Sequence, residues 1–195
     1  MRIEKISKKT IKEAVKIIKN GGVVACPTDT VYGLIADATN KNAVKKIFDI
    51  KKREKGKAIS IFLEDIDSIK KFAFLNKKQK IFLKKYLPGK FTIILKRKKP
   101  SGLPNILFGG KNTIGIRIVK NKLINYLIKE LKKPLTATSF NISKREPSGK
   151  INEIIKQFKN ISLKPDLVIK KDKKGNIKPS KIIDLTKDKP IVLRK

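Results

Sequence analysis

Apolar and polar residues follow two periods along this chain, and the switches between them divide it into helices and strands. Ile11, Ala14, Val15 and Ile18 recur at helical spacing, and Gly21-Gly22 supplies the stop. Val23 to Cys26 reads as a short buried strand, and it runs straight into Pro27-Thr28-Asp29-Thr30-Val31-Tyr32-Gly33, a segment too polar for core. Asn40 is placed to cap a second helix that carries Ala43, Val44, Ile47 and Phe48 on one side and delivers Lys51-Lys52-Arg53 at its far end, where cations suit the helix dipole. Ala58 to Leu63 is strand-like, and Ile66 to Phe74 and Lys77 to Tyr86 have helical patterns. Pro88-Gly89 breaks the chain before a strand at Phe91 to Leu95. Lys96 to Lys111, with Pro100, Gly102, Pro104, Gly109 and Gly110, reads as a long loop lining a site. A strand at Thr113 to Val119, a helix at Leu123 to Leu131 and a strand at Leu135 to Ser139 follow. A helix at Ile151 to Phe158 and short strands near Leu167 to Ile169, Ile182 to Leu185 and Ile191 to Leu193 complete the pattern. Alternation of this kind predicts a mixed α/β architecture in one domain spanning 1–195; strand order is not readable from it.

Composition narrows the chemistry. The 195 residues contain one cysteine, Cys26, and no histidine, so an intramolecular disulfide, an ordinary zinc site and a Ser-His or Cys-His catalytic pair are excluded. No apolar run approaches membrane-spanning length, and Met1 to Thr10 lacks the apolar centre of a secretory signal, so the expectation is a cytoplasmic protein without a membrane partner. The formal net charge is +34. A balance that basic suggests polyanionic partners, but the cations are overwhelmingly lysine, as compositional drift would produce, and a lysine-coated surface is the plainer reading. The six arginines, Arg2, Arg53, Arg97, Arg117, Arg145 and Arg194, are the more informative cations, since only guanidinium offers a planar fork.

Four polar clusters interrupt the apolar pattern where elements end: Thr28-Asp29-Thr30, then Lys51, Arg53 and Lys57, then Ser139 with Asn141, then Ser180 with Arg194. Each alone also reads as turn formers, helix caps or a solvated helix end. Together, oriented hydroxyls and amides beside cations form the equipment for holding a nucleotide triphosphate and a small acid. Neither a G-x-x-x-x-G-K-[ST] nor a G-x-G-x-x-G string occurs, so side chains would have to hold the phosphates.

Gly22 to Leu34, followed by Lys51-x-Arg53, resembles the start of the YrdC family of threonylcarbamoyl-AMP synthases. The likeness continues through Pro88-Gly89, Thr113-Ile114-Gly115-Ile116-Arg117, Thr138-Ser139-Phe140-Asn141-Ile142-Ser143, Pro179-Ser180 and Ile182 to Arg194. Lys51, Arg53, Ser139 and Asn141 are similar to the signature of active synthases. Glu54 and Ala58 stand where the family usually has proline, Lys181 where it has threonine and Val119 where it has proline. The resemblance implies a short, single-domain form: a YrdC-like α/β domain with a twisted mixed sheet flanked by helices and a basic concave site.

The implied reaction joins L-threonine, bicarbonate and ATP into threonylcarbamoyl-AMP with release of pyrophosphate, with Mg²⁺ expected on ATP. Partner proteins would then pass the threonylcarbamoyl group to adenosine 37 of tRNAs reading codons that begin with A. By position, Thr30, Arg117, Ser139 and Ser180 would bind threonine. Arg53, Lys57, Thr113, Asn141, Gly149 and Arg194 would contact ATP, with Lys51 beside them; Lys51, Arg53, Ser139 and Asn141 form the catalytic set. Two rivals stand beside this: a tRNA- or double-stranded-RNA-binding module of the same fold without synthase activity, and a carbamoyl-transferring or regulatory paralogue.

Overall fold

The computed structural model describes residues 1–171 and 178–195. Ten strands form one mixed sheet in the order β1-β8-β2-β3-β7-β4-β6-β5-β9-β10. They are β1 (Arg2–Lys5), β2 (Val24–Pro27), β3 (Tyr32–Ile35), β4 (Ser60–Phe62), β5 (Phe91–Lys96), β6 (Thr113–Arg117), β7 (Leu135–Ser139), β8 (Leu167–Lys170), β9 (Lys181–Asp184) and β10 (Ile191–Arg194). The helices are α1 (Lys8–Lys19), α2 (Lys41–Lys51), α3 (Lys77–Tyr86), α4 (Lys122–Leu131) and α5 (Ile151–Gln157). Side-chain oxygens start four of them: Ser7 accepts from the Thr10 amide, Asn40 from Asn42 and Ala43, Asn76 from Gln79, and Asn121 from Ile124. No helix among the described residues is long and apolar enough to cross a membrane.

Period-two alternation splits the strands between two core layers. Val24, Cys26, Ile35, Leu135 and Leu167 pack with Ala14 and Ile18 of α1 and Ile124 and Leu127 of α4. Their neighbours Val23, Ala25, Leu34 and Val168 pack on the opposite face with Val44, Ile47 and Phe48 of α2. The same rule governs the other half of the sheet, where Ile61, Ile93, Ile116 and Ile183 all enter the α2 layer. Their alternates are Ser60 and Phe62, Thr92, Gly115 and Arg117, and Ile182, several of them small or polar.

The structure departs from the sequence reading in four elements. β1 is exposed throughout and charged at every position but Ile3, an edge strand without an apolar run, held by parallel pairing to β8. β3 starts inside the segment that reads as too polar for core and pairs antiparallel with β2, Val24 opposite Ile35 and Pro27 opposite Tyr32, so that Thr28, Thr30, Val31 and Tyr32 are buried. The helix expected over Ile66 to Phe74 is a 3-10 turn at Asp67–Lys71. The Phe74 amide bonds to the Lys96 carbonyl at 2.9 Å, so the chain turns onto the end of β5 instead of continuing the helix. The 96–111 segment holds a 3-10 turn at Asn105–Phe108 that buries Leu107 and Phe108, so part of this loop is core.

Candidate active site

The α1 and α4 layer leaves part of its sheet face open, and a cavity of about 210 Å³ lies there. Phe62 and Ala137 belong both to that layer and to the cavity lining. The floor is made by the small and polar alternates of the central strands, Ser60, Thr92, Arg117, Ala137, Ser139 and Ile182. Gly115 lets the Ser60 and Thr92 side chains of the floor come close together, because a Cβ there would collide with the Ser60 hydroxyl and meet the Thr92 methyl at 3.4 Å. Thr28, Thr30, Val31, Tyr32, Pro147 and Pro179-Ser180 wall it, together with Arg53 and Arg194.

Arg117 ends β6 beside Phe62, with its guanidinium carbon 5.0 Å from the ring centre. Its Nη2 donates to Asp29 Oδ1 at 2.6 Å and to Thr30 Oγ1 at 3.3 Å, while its Nε has no hydrogen-bond partner. Burial pulls the Arg117 pKa down, Asp29 opposes that shift, and Arg194 adds to it. Arg194 closes another side: its Nε and Nη2 donate to the Ser180 carbonyl at 2.9 and 2.7 Å, and Nη2 reaches Ser180 Oγ at 3.3 Å. Ser180 Oγ in turn lies 2.8 Å from Thr92 Oγ1, so strands β5 and β10 join in one polar chain.

The third arginine leaves α2. Lys52 adopts a left-handed conformation that ends the helix, and Arg53 then turns so that its Nε bonds the Lys57 carbonyl at 3.0 Å and its Nη2 the Ala58 carbonyl at 2.7 Å. Burial lowers the Arg53 pKa and Glu54 counters it. Glu54, where a rigidifying proline is usual in the resemblance, instead pairs with Lys57 at 3.3 Å and Lys144 at 3.1 Å. Lys51 is 2% exposed and donates to the carbonyls of Ser139 and Asn141 and to Asn141 Oδ1. Burial, then the charge of Arg53, lowers its pKa to about 7.

Six of the residues given a role from the sequence therefore line one cavity, Thr30, Arg53, Arg117, Ser139, Ser180 and Arg194, and Thr28 of the first polar cluster lines it with them. Lys51 and Asn141 stand behind Ser139. Lys57 Nζ lies with Glu54, Thr113 begins β6 opposite Lys96, and Gly149 lines a separate depression with Lys150 and Lys170; none of these three lines the cavity. The 96–111 loop contributes no lining residue either. Its Leu107 carbonyl accepts from the Ile59 amide at 2.8 Å, so it braces the segment that holds Arg53. Ser60, Thr92 and Asp29 were not assigned roles from sequence; for the first two the signal was the alternation Ser-Ile-Phe and Thr-Ile within strands. Asp29 gives no such signal, because its contact with Arg117 spans 88 positions.

Three guanidinium groups and a ring of hydroxyls around one small cavity make an anion site with hydrogen-bonding discrimination. The carboxylate next to Arg117, that of Asp29, pairs with this guanidinium, and among the described residues no group of three or more His, Cys, Asp or Glu side chains could hold a metal ion. The donor set fits phosphate and carboxylate better than a cation.

The Sua5_yciO_yrdC family model, described as "Telomere recombination", matches residues 16–195, and the chain belongs to that family. It is 43% identical to a protein of Methanocaldococcus jannaschii named "Putative threonylcarbamoyl-AMP synthase", over 98% of this chain and 87% of that one. It is similar in structure to Pyrococcus abyssi Sua5 complexed with L-threonine, with TM-score 0.84 and 29% identity, covering 99% of this chain and 56% of the other. It is equally similar to Escherichia coli YciO, with TM-score 0.83 and 30% identity over 100% of this chain and 93% of that one. The chain thus spans little more than half the length of Sua5 and nearly all of YciO.

Proposed function

We propose that this chain is an L-threonylcarbamoyladenylate synthase, a nucleotidyltransferase that makes threonylcarbamoyl-AMP and pyrophosphate from L-threonine, bicarbonate and ATP. The product would serve threonylcarbamoyladenosine formation at position 37 of tRNAs reading codons that begin with A, by way of partner proteins. The observation that carries the reading is the convergence of Arg53, Arg117 and Arg194 with Thr30, Ser139 and Ser180 on one cavity. Family membership and the threonine complex of the Sua5 relative support it.

The chemistry asks little of protein nucleophiles. The threonine amine adds to carbon dioxide derived from bicarbonate and loses a proton, and a carbamate oxygen attacks the α-phosphorus while the bond to pyrophosphate breaks. Alignment and charge neutralisation carry such a step, and histidine is dispensable. Arg117, whose Nε is unpaired, takes the threonine carboxylate; Thr30, Ser139 and Ser180 read its amine and hydroxyl. Arg53 and Arg194 face the nucleotide, with Lys57, Thr113 and Gly149 as further contacts proposed by resemblance; the Asn141 side chain, assigned to ATP by the same resemblance, is taken up instead by Lys51, Ser139 and two main-chain carbonyls. Mg²⁺ would arrive with ATP, on the phosphate oxygens.

The test is incubation with ATP, bicarbonate and each amino acid in turn, reading acyl-adenylate mass and pyrophosphate. Threonine should give product and valine essentially none. Arg117→Lys should raise the threonine requirement by about 10-fold or more while leaving that for ATP nearly unchanged, and Arg53→Lys should do the reverse. RNA binding with a steep salt dependence and no threonine-dependent pyrophosphate would instead favour the nucleic-acid module.

A further inference from the structure

Lys51 does not line the cavity, although it lies one residue behind it. A protonated amine has three N–H donors, and three oxygens take them here: the carbonyls of Ser139 and Asn141, the latter at 2.9 Å, and Asn141 Oδ1 at 2.9 Å. The Lys51 carbonyl also accepts from the Ser143 amide at 2.8 Å, so the end of α2 is tied to the turn after β7 through both main chain and side chain. No donor is left over for a phosphate.

Asn141 is equally committed. Its Oδ1 accepts from Lys51 and, at 2.6 Å, from Ser139 Oγ, while its Nδ2 donates to the carbonyls of Ile142 at 3.0 Å and Arg145 at 2.5 Å. These partners dictate which way the amide faces, because reversing it would oppose NH₂ to the ammonium and oxygen to two carbonyls. The orientation has a consequence at the cavity wall. With its one proton given to Asn141, Ser139 presents only lone pairs to a ligand.

We infer that Lys51 is a positioning residue that works through Asn141 to set the polarity of Ser139, so that the Ser139 hydroxyl accepts a hydrogen bond from the N–H or O–H of an amino-acid substrate. The inference rests on the synthase reading for the identity of that substrate. It makes Lys51 a determinant of amino-acid binding, not of nucleotide binding.

A double-mutant cycle over Lys51→Met and Ser139→Ala tests it, with L-threonine and ATP affinities measured separately by calorimetry and pyrophosphate release followed alongside. Each single change should weaken threonine binding by about 10-fold, the scale of one lost hydrogen bond, and move ATP affinity by less than about 3-fold. The double variant should bind threonine about as well as the weaker single variant. Losses that multiply, or a loss confined to ATP, would overturn the inference. The wild-type protein supplies a check that needs no variant: threonine should shift the Asn141 side-chain amide and Lys51 Cε resonances, and ATP alone should leave them in place. The opposite pattern overturns it. Threonine binding with the expected coupling but no pyrophosphate release counts against the synthase reading and leaves the role of Lys51 standing; a wild type that binds no amino acid overturns both.

Discussion

At the scale of single residues, desolvation is the force that shapes this site. Lys51 shows its sign. Enclosure lowers its pKa from 10.5 to about 7, with Arg53 adding to the shift. Between those two values the native protein binds fewer protons at this position than the unfolded chain does, so this group makes stability rise with pH, and the gain disappears as pH falls through about 7. Urea denaturation of the wild type and Lys51→Met at pH 6.5, 8 and 9.5 should therefore show a stability difference that moves in favour of the wild type as pH increases. A constant difference would mean that the lysine titrates like a surface one. Arg117 illustrates the other side: its charge is retained against burial by the neighbouring Asp29 carboxylate, and removing that arginine outright would strand a buried anion. Lysine is the cleaner probe there.

At the scale of elements, the cavity depends on pieces that never touch it. Gly109 ends the 3-10 turn with φ +57°, and a Cβ there would meet the Gly56 carbonyl oxygen at 2.5 Å and the Ala58 nitrogen at 2.8 Å. That contact seats the turn against the 56–59 backbone whose carbonyls hold Arg53. Gly109→Ala should cost about 1–3 kcal/mol of stability and raise the ATP requirement more than the threonine requirement. Calorimetric melting with substrate titrations checks both; an unchanged ATP affinity would detach this turn from the site. The same turn explains one misreading. Proline and glycine density in 96–111 signals irregular backbone, which is present, but it does not distinguish a loop that lines a cavity from one that braces its wall. The 3-10 turn at Asp67–Lys71 is a similar case: Ile66, Ile69 and Phe72 have helical spacing, yet a pairing with β5 redirects the chain. β1 escaped for the opposite reason, since an exposed edge strand needs no apolar face.

For the molecule as a whole, the net charge of +34 comes mostly from 44 lysines, while the cavity gathers three of the six arginines. Like charges at that density repel and oppose compaction. Raising salt from about 0.01 M to about 0.15 M shortens the screening length from about 30 Å to about 8 Å. The melting temperature should climb over that range, and one that stays level would show the lysines to be well dispersed. Sheet order does the gathering: β7 lies between β3 and β4, and β9 joins β5, so residues 30, 53, 117, 139, 180 and 194 meet although they are scattered along the chain.

The residue order by itself determined most of the helices and strands, the two-faced alternation of the sheet and the side-chain types available to a site, because caps, periods and the absence of histidine are properties of neighbouring residues or of simple composition. Tertiary structure alone decided that Asp29 engages Arg117, that Lys51 is spent on the Ser139–Asn141 turn, and that Lys57, Thr113 and Gly149 stand away from the cavity. Those outcomes follow from which strands pair and which groups lose water when they do, and both are set by contacts between residues far apart in sequence.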